Sequence, residues 1–177
     1  MDTNNDTSKI KVDDPEENLY ERLRNIALYV TPEKLKLSLP ADETIVFGVI
    51  MDWEIEDMIV STVAYLTGDA SLYFSTGQII IGGGQHENVR EASIQFVSFA
   101  ETFLDKATKT QKVTLPTKDQ VKFYLLTNNG IYVGQDIMNN LEDYSSEWSE
   151  LFEEGNNVMT ELRLIVEKYE TIYGDEM

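Results

Sequence analysis

Residues 44–81 read TIVFGVIMDWEIEDMIVSTVAYLTGDASLYFSTGQIII, and this stretch decides the fold class. β-branched and aromatic residues dominate it, and short turns divide it into runs that are typical of β-strands. Glycine tolerates the positive φ angles of tight hairpins, so Gly68-Asp69 and Thr76-Gly77 mark two of the turns. The run from Met58 to Leu66 is apolar on both faces, which indicates a central strand. The predicted strands cover residues 45–51, 58–67, 71–75 and 78–81.

Helix signals lie on both sides of this stretch. The spacing of Asp14, Pro15 and Glu17 predicts a capped helix start, and a second start at Thr31 extends the helical segment over 13–39 with a break. Apolar residues that recur at spacings of three and four predict a helix over 87–106 and a long last helix over 146–173. Gly155 lies on the apolar seam of the last helix, where it predicts a close crossing.

The segment between the two later helices adds further strands. Asn128-Asn129-Gly130 predicts a type I′ hairpin between strands at 121–126 and 131–133, with an edge strand at 113–115. We therefore expect an α+β protein with a single mixed, mostly antiparallel sheet of about five to six strands, packed by two long helices in the order α-β-β-β-α-β-β-α. The length of 177 residues suits one domain over 13–177, preceded by a flexible acidic tail over 1–12.

The charge of the chain is concentrated at its ends. The formal net charge is −18, and residues 142–177 carry 11 acids against 2 bases while residues 1–21 carry 7 against 2. A field of this sign repels phosphate, which argues against nucleic acid and membrane surfaces as partners and favours a basic protein. The sequence has neither a signal-peptide pattern nor an apolar run of membrane-spanning length, so a cytoplasmic location is expected.

The sequence contains few of the residue types and motifs that support catalysis. There is no cysteine, which excludes disulfides, thiolate metal sites and cysteine nucleophiles, and His86 is the one histidine. Gly83, Gly84 and His86 precede a predicted helix and form a candidate small-ligand site, because glycine turns at helix starts can bind anions. No lysine follows the glycines, and Glu87 occupies the first turn, so a structural turn is the favoured interpretation. No cofactor and no enzymatic activity are expected.

A second candidate is the acid cluster Asp52, Glu54 and Glu56. In an extended chain these carboxylates share one face, where they could bind a divalent metal ion or act as acid and base. Their spacing does not match a calcium loop, and a solvated strand end followed by a hairpin turn is the favoured interpretation. Together with His86, the cluster defines an alternative function, a metal or small-molecule site with enzymatic activity.

The acidic outer face of the last helix is the third candidate. It presents Glu147, Glu150, Glu153, Glu154 and Glu161. Carboxylates on a rigid helix can meet lysine and arginine on a partner, and a plainly solvated face is the alternative reading. We therefore predict a non-catalytic protein-binding domain that engages a basic partner, such as an immunity protein that masks a cationic toxin cleft or a secretion chaperone. A structural homodimer built on the last helix is a further alternative.

Two runs carry a resemblance to other proteins. The stretches SLYFSTG at 71–77 and GGGQHENVR at 82–90 resemble runs in uncharacterised bacterial proteins, which implies a bacterial origin. In the order of its elements the chain resembles type III secretion chaperones, which are acidic dimers that cradle an effector, and roadblock or profilin-like modules, which are binding scaffolds. The resemblance in element order implies a protein partner.

Overall fold

An antiparallel sheet of seven strands forms the centre of the structure. The structure is a computed structural model that describes residues 18–82 and 85–174, with side chains as far as Tyr169. The strands are β1 Val46–Ile55, β2 Met58–Tyr65, β3 Ala70–Phe74, β4 Ile79–Ile81, β5 Thr108–Thr110, β6 Gln120–Thr127 and β7 Gly130–Ile137, in the spatial order β4-β3-β2-β1-β6-β7-β5. The α+β class is confirmed. The expected five to six strands of a mixed sheet are corrected to seven, and every described pairing is antiparallel.

Four α-helices accompany the sheet in the described residues. They are α1 Leu19–Leu28, α2 Glu87–Glu101, α3 Met138–Glu142 and α4 Ser149–Gly174, and a 3₁₀ turn Leu104–Lys106 follows α2. The element order is therefore α-β-β-β-β-α-β-β-β-α-α, which differs from the expected order by additional strands and the short α3. The prediction of two long helices holds for α2 and α4.

The predicted helical segment over 13–39 is shorter in the structure. Helix α1 begins after Asn18, whose side-chain oxygen accepts a hydrogen bond from the Tyr20 N–H, and residues 32–36 form turns instead of a second helix. Lys36 has a φ of 58°, a left-handed conformation that ends a helical turn. The predicted start at Asp14 and the predicted acidic tail over 1–12 lie outside the described residues.

The extra edge strand lies at 108–110, and the predicted strand at 113–115 is wrong. Strand β5 pairs with β7, and the segment that follows β5 leaves the sheet. Thr114 of this segment makes two hydrogen bonds with the Tyr124 hydroxyl. The hydroxyl accepts from the Thr114 N–H at 3.0 Å and donates to the Thr114 carbonyl at 2.6 Å. The backbone groups of this segment thus bond to a side chain, which removes them from a sheet ladder.

The Asn128-Asn129-Gly130 hairpin is confirmed, although its turn type is not. Thr127 pairs with Gly130, and Gly130 alone has a positive φ of 110°, whereas a type I′ turn needs positive φ at both central residues. Asn128 has a different function: its Nδ2 donates to the carbonyls of Pro40 and Glu43 and its Oδ1 accepts from the Ile45 N–H. The hairpin tip therefore anchors the loop that leads into β1.

Helices α2 and α4 pack side by side on one face of the sheet. The core beneath them is built from side chains such as Val49, Met51, Phe96, Leu151 and Leu162. A Cβ on Gly155 would lie 2.5 Å from the Met51 sulfur and 3.2 Å from Cζ of Phe96, so glycine lets α4 approach both β1 and α2. The predicted close crossing at Gly155 is confirmed.

Helix α1 covers part of the opposite face. Its buried residues Tyr20, Ala27 and Leu28 join Ile50 and Tyr124 in a second core. Leu19 and Ile26 are exposed on the outer side of α1, as is Tyr29 directly after the helix. The sheet thus separates two cores, one beneath the α2–α4 pair and one beneath α1.

Candidate functional site

A groove runs between α2 and α4 on the solvent side of the helix pair. It has a volume of about 310 Å³ and is lined by Glu91 and Gln95 from α2 and by Glu154, Asn157 and Glu161 from α4, among other residues. Glu154 and Glu161 are seven residues apart, which in an α-helix places them on one side with a separation of about 10 Å along the axis. We call this feature the carboxylate groove.

The acids of the carboxylate groove have no basic counterpart in the described part of the chain. No lysine or arginine lines the groove, and the structure gives Glu91, Glu154 and Glu161 no ion pair with any described residue. One long contact is present, 3.5 Å between the Gln95 amide nitrogen and a Glu154 carboxylate oxygen. The arrangement is a fixed concentration of negative charge that would attract a cation.

An apolar depression adjoins this groove along α2. Glu91 and Gln95 line both features, and the depression continues to Ile94, Ser98 and Phe99. Ile94 and Phe99 are half-buried, so part of their apolar surface meets solvent. Charged groups beside an accessible apolar strip give the composition of a protein interface, in which polar side chains surround apolar contacts.

The structure divides the five predicted acids of the last helix. Glu154 and Glu161 line the carboxylate groove, whereas Glu147, Glu150 and Glu153 lie exposed around the first turn of α4 and do not line it. Sequence reasoning missed Glu91, the acid that α2 contributes. The repeat of Glu87, Glu91 and Gln95 at a spacing of four marks the polar side of α2, but that pattern does not reveal which helix lies beside it.

The predicted acid cluster at Asp52 is engaged inside the protein. The guanidinium of Arg24 donates to Oδ2 of Asp52 from Nη2 at 2.6 Å and from Nε at 3.0 Å. The Ser61 hydroxyl donates to Oδ1 at 2.6 Å, and the Tyr20 hydroxyl lies 2.8 Å from that of Ser61. All four side chains are buried. We call Tyr20, Arg24, Asp52 and Ser61 the buried polar network; it fixes α1 to the sheet.

The electrostatics of the network are those of a stable internal ion pair. Burial opposes the charge of Arg24, but the attraction and hydrogen bonds of Asp52 raise its pKa above the ordinary arginine value. Burial, followed by the charge of Asp52, raises the pKa of the Tyr20 hydroxyl above its usual range, so that this hydroxyl stays protonated. Both carboxylate oxygens of Asp52 thus face donors that remain protonated near neutral pH.

Glu54 and Glu56 have structural positions at the end of β1. Glu54 is buried and accepts hydrogen bonds from the backbone N–H groups of Asp57 and Asp119, at 2.8 Å and 2.6 Å. Glu56 is exposed in the two-residue turn to β2, where Glu56 and Asp57 have φ values of 47° and 67°. The hairpin turn that the sequence favoured is present, but the predicted solvated strand end is wrong, because Asp52 and Glu54 are buried. Within residues 18–82 and 85–174, no group of three or more histidines or acids could hold a metal ion.

His86 lies away from these acids, on the other side of the sheet. It occupies the N-cap position of α2 without a side-chain capping bond, and its ring meets the edge of the Tyr169 ring at 6.3 Å between centroids. Because α2 and α4 cover the sheet face opposite α1, the structure does not bring His86 together with Asp52. Gly83 and Gly84, its predicted partners in a small-ligand site, lie outside the described residues.

Comparisons of the chain with protein-family models, with curated proteins and with solved structures find no match. In the described part of the chain, no helix combines the length and the apolar character needed to cross a membrane. The fold and this surface define the chain as an α+β protein with a carboxylate-lined groove between two packed helices.

Proposed function

We propose that this chain is a non-catalytic protein-binding domain whose carboxylate groove holds a basic segment of a partner protein. The observation that carries the proposal is the convergence of Glu91, Glu154 and Glu161 on one groove without a basic side chain among the described residues that line it. A lysine or arginine entering the groove would meet carboxylates from both helices. An immunity protein that masks a cationic toxin cleft and a secretion chaperone both belong to this functional class.

The rigidity of the site supports the proposal. Helices α2 and α4 are held together over the shared core, and Gly155 lets them pack closely against Phe96 and β1. The backbone that carries these carboxylates is already ordered before a partner binds, so less conformational entropy is lost on association. Charge complementarity of this kind raises the association rate and makes the affinity sensitive to salt.

The apolar depression beside the groove supports a protein partner over a free cation. Ile94 and Phe99 lie next to Glu91 and Gln95, so a bound chain could bury apolar surface while its basic side chains meet the acids. A small polyamine would use the acids alone and leave the depression in water. The partner segment is therefore expected to carry basic residues together with at least one large apolar residue.

Affinity capture with charge-reversal variants tests the proposal. The full chain is immobilised and exposed to lysate of the source organism, and the bound proteins are identified by mass spectrometry after washing at low and at high salt. We expect the wild type to retain a basic protein that high salt releases, and the Glu154→Lys/Glu161→Lys double variant to lose that protein. Direct titration of the recovered partner should show the affinity falling by at least about tenfold in this variant.

The matched control is Glu33→Lys/Asp42→Lys, which makes the same change in net charge at exposed residues outside the groove. This control is expected to bind the partner nearly as well as the wild type. Equal loss of binding in both double variants would mean that net charge alone acts, and the groove would then not be the binding site. Retention of the partner at high salt by all three proteins would contradict a carboxylate-based interface.

A further inference from the structure

The two edges of the sheet differ in how they meet solvent. At one edge, β5 reads Thr108-Lys109-Thr110, with Lys109 exposed at its centre. Lysine on an edge strand discourages the addition of another strand, because the approaching chain would bury its charge. At the other edge, β4 consists of three isoleucines, Ile79–Ile81, and carries neither charge nor proline. Ile81 is 66% exposed.

The outer side of β4 presents backbone groups at strand spacing that no described strand pairs. The Phe74 N–H donates to the Gln78 carbonyl, so in this antiparallel ladder Gln78 and Ile80 direct their backbone toward β3 while Ile79 and Ile81 direct theirs outward. β4 is the terminal strand of the sheet, and no described strand pairs with its outer side. Two residues with outward N–H and C=O groups match the hydrogen-bonding pattern of an extended chain.

A cleft with apolar and polar lining lies beside this edge, beneath the C-terminal half of α4. It measures about 410 Å³, and its apolar lining includes Ile80, Leu162, Ile165 and Val166. The side chain of Ile80 joins the core under α2 and α4, whereas that of Ile79 joins the core on the α1 side. A strand added to β4 would therefore direct every second side chain toward this cleft, which we call the β4–α4 cleft.

The β4–α4 cleft is continuous with the carboxylate groove. A depression of about 370 Å³ lies between them; it shares Glu161 with the groove and Ile165 with the cleft, and Lys168 and Glu87 also line it. A chain lying along this path would meet acids at one end and, at the other, apolar side chains and a strand edge that no described strand pairs. The path indicates both the charge and the conformation of its occupant.

We propose that β4 accepts an extended segment of a partner protein as an additional antiparallel or parallel strand, with β-branched or other apolar side chains entering the β4–α4 cleft and lysine or arginine flanking them. The basic flanks rest on the proposed function; the strand addition rests on the edge and the cleft. A second copy of this chain is a poorer occupant, because two chains of net charge −18 repel each other. β4 offers only two outward residues, so cleft and charge must supply part of the affinity.

The test uses a synthetic peptide, Lys-Lys-Val-Thr-Val-Ile-Val-Lys-Lys, and the full-length ¹⁵N-labelled chain. Hydrogen exchange of the Ile79 and Ile81 amides is followed by NMR with and without peptide at ten times its Kd. We expect exchange of both amides to slow about tenfold, as binding to a site that must be vacated before exchange requires. The same peptide with every backbone N–H of its Val-Thr-Val-Ile-Val segment methylated keeps its charge and side chains but loses the donors on both edges, and it should give no such protection.

Two variants separate the edge from general electrostatics. Ile81→Lys places a cation on the free edge and is expected to abolish the protection, whereas Thr108→Lys adds the same charge at the opposite edge and should leave the protection unchanged. Equal protection by the methylated and unmethylated peptides would overturn strand addition. So would an unchanged response of Ile81→Lys, because the edge would then not be the site.

The remaining outcomes distinguish this proposal from the proposed function. Peptide-induced shifts confined to the amides of Glu154 and Glu161 would support the carboxylate groove and overturn strand addition at β4. Slow exchange at Ile79 and Ile81 before peptide is added, and unaltered by it, would mean that the edge is already covered and would also overturn the proposal. If the edge is already covered, sedimentation at two protein concentrations distinguishes coverage by a second copy of the chain from coverage by a segment of the same chain.

Discussion

The face of the sheet beneath α2 and α4 is closed by apolar side chains, whereas the face beneath α1 is closed around the buried polar network. Under α2 and α4, the described residues bury no charged side chain, and Phe96, Leu151 and their neighbours are fully buried. Under α1, Arg24 and Asp52 are taken out of water together. The first face depends on shape and apolar area, and the second on keeping two opposite charges paired.

This difference affects how each helix is positioned on the sheet. Apolar contacts are non-directional, so a helix on such a face is positioned by packing alone. The bonds from Arg24 to Asp52 and between the hydroxyls of Tyr20 and Ser61 have fixed directions, and they determine where α1 sits along β1 and β2. A short helix such as α1, with 10 residues of which the large apolar Leu19 and Ile26 are exposed, has little buried area to determine its own register.

The largest expected effect is on the apolar face. Phe96→Ala removes a fully buried ring that packs near Gly155 and should destabilise the fold by about 4 kcal/mol, since the cavity between α2, α4 and the sheet cannot collapse fully. Chemical denaturation measures the change. Ile94→Ala on the outer side of α2 is the control and should cost less than half as much, because Ile94 is only half-buried. Equal losses would mean that this face does not pack as described.

The next largest loss of stability is expected when the ion pair beneath α1 is broken. Asp52→Asn leaves the Arg24 guanidinium buried without its counter-charge and should cost about 3 kcal/mol in the free energy of unfolding. Hydrogen exchange should show the loss first in the amides of α1, because the network is what holds that helix.

The double variant Arg24→Met/Asp52→Leu sharpens the same comparison. It removes both charges, so it should recover most of the stability lost in Asp52→Asn, because apolar replacement of a whole buried pair is often neutral. If the loss of stability in the double variant equalled the sum of the losses in Arg24→Met alone and Asp52→Leu alone, the penalty would not come from an unpaired buried charge.

The smallest effects are expected from variants of two neighbouring residues on β2 whose side chains lie on opposite faces of the sheet. Thr62 is buried on the α2–α4 side, and its hydroxyl has no hydrogen-bond partner among the described residues, so Thr62→Val should be neutral or stabilise by up to about 1 kcal/mol. Ser61→Ala on the α1 side deletes a donor to Asp52 and should destabilise by about 1–2 kcal/mol. Thermal unfolding of both variants measures the contrast. A destabilised Thr62→Val would reveal a partner for that hydroxyl and weaken the comparison.

Elements with a strong local signal were predicted well. The meander of β1 to β4, with turns at Gly68 and Gly77, follows from β-branched runs and from glycines whose observed φ values are 91° and 106°. Helix α4 follows from its apolar spacing, with a start three residues later than predicted. Errors arose where a tertiary partner decides the local structure, as at Thr114, where the Tyr124 hydroxyl takes the backbone groups that a strand would have used.

The candidate site was predicted in part. The acids of α4 were visible in the sequence, and Glu154 and Glu161 do line the groove, but Glu91 depends on α2 lying beside α4. Asp52 looked like a possible ligand because its partner Arg24 is 28 residues away and on another element. No pattern within β1 distinguishes a carboxylate that binds a metal from one that is paired inside the core.

The sequence by itself determined the class of the fold, the charge of the surface and the absence of cysteine chemistry, because these depend on composition and short-range periodicity. Only the tertiary structure decided which carboxylates are free and which are paired, and which sheet edge is protected. Those properties depend on contacts between residues distant in the chain: Arg24 with Asp52, Glu91 beside Glu154, and β4 at the end of the strand order. Such contacts form only when apolar faces pack, since burial removes water as the alternative hydrogen-bonding partner.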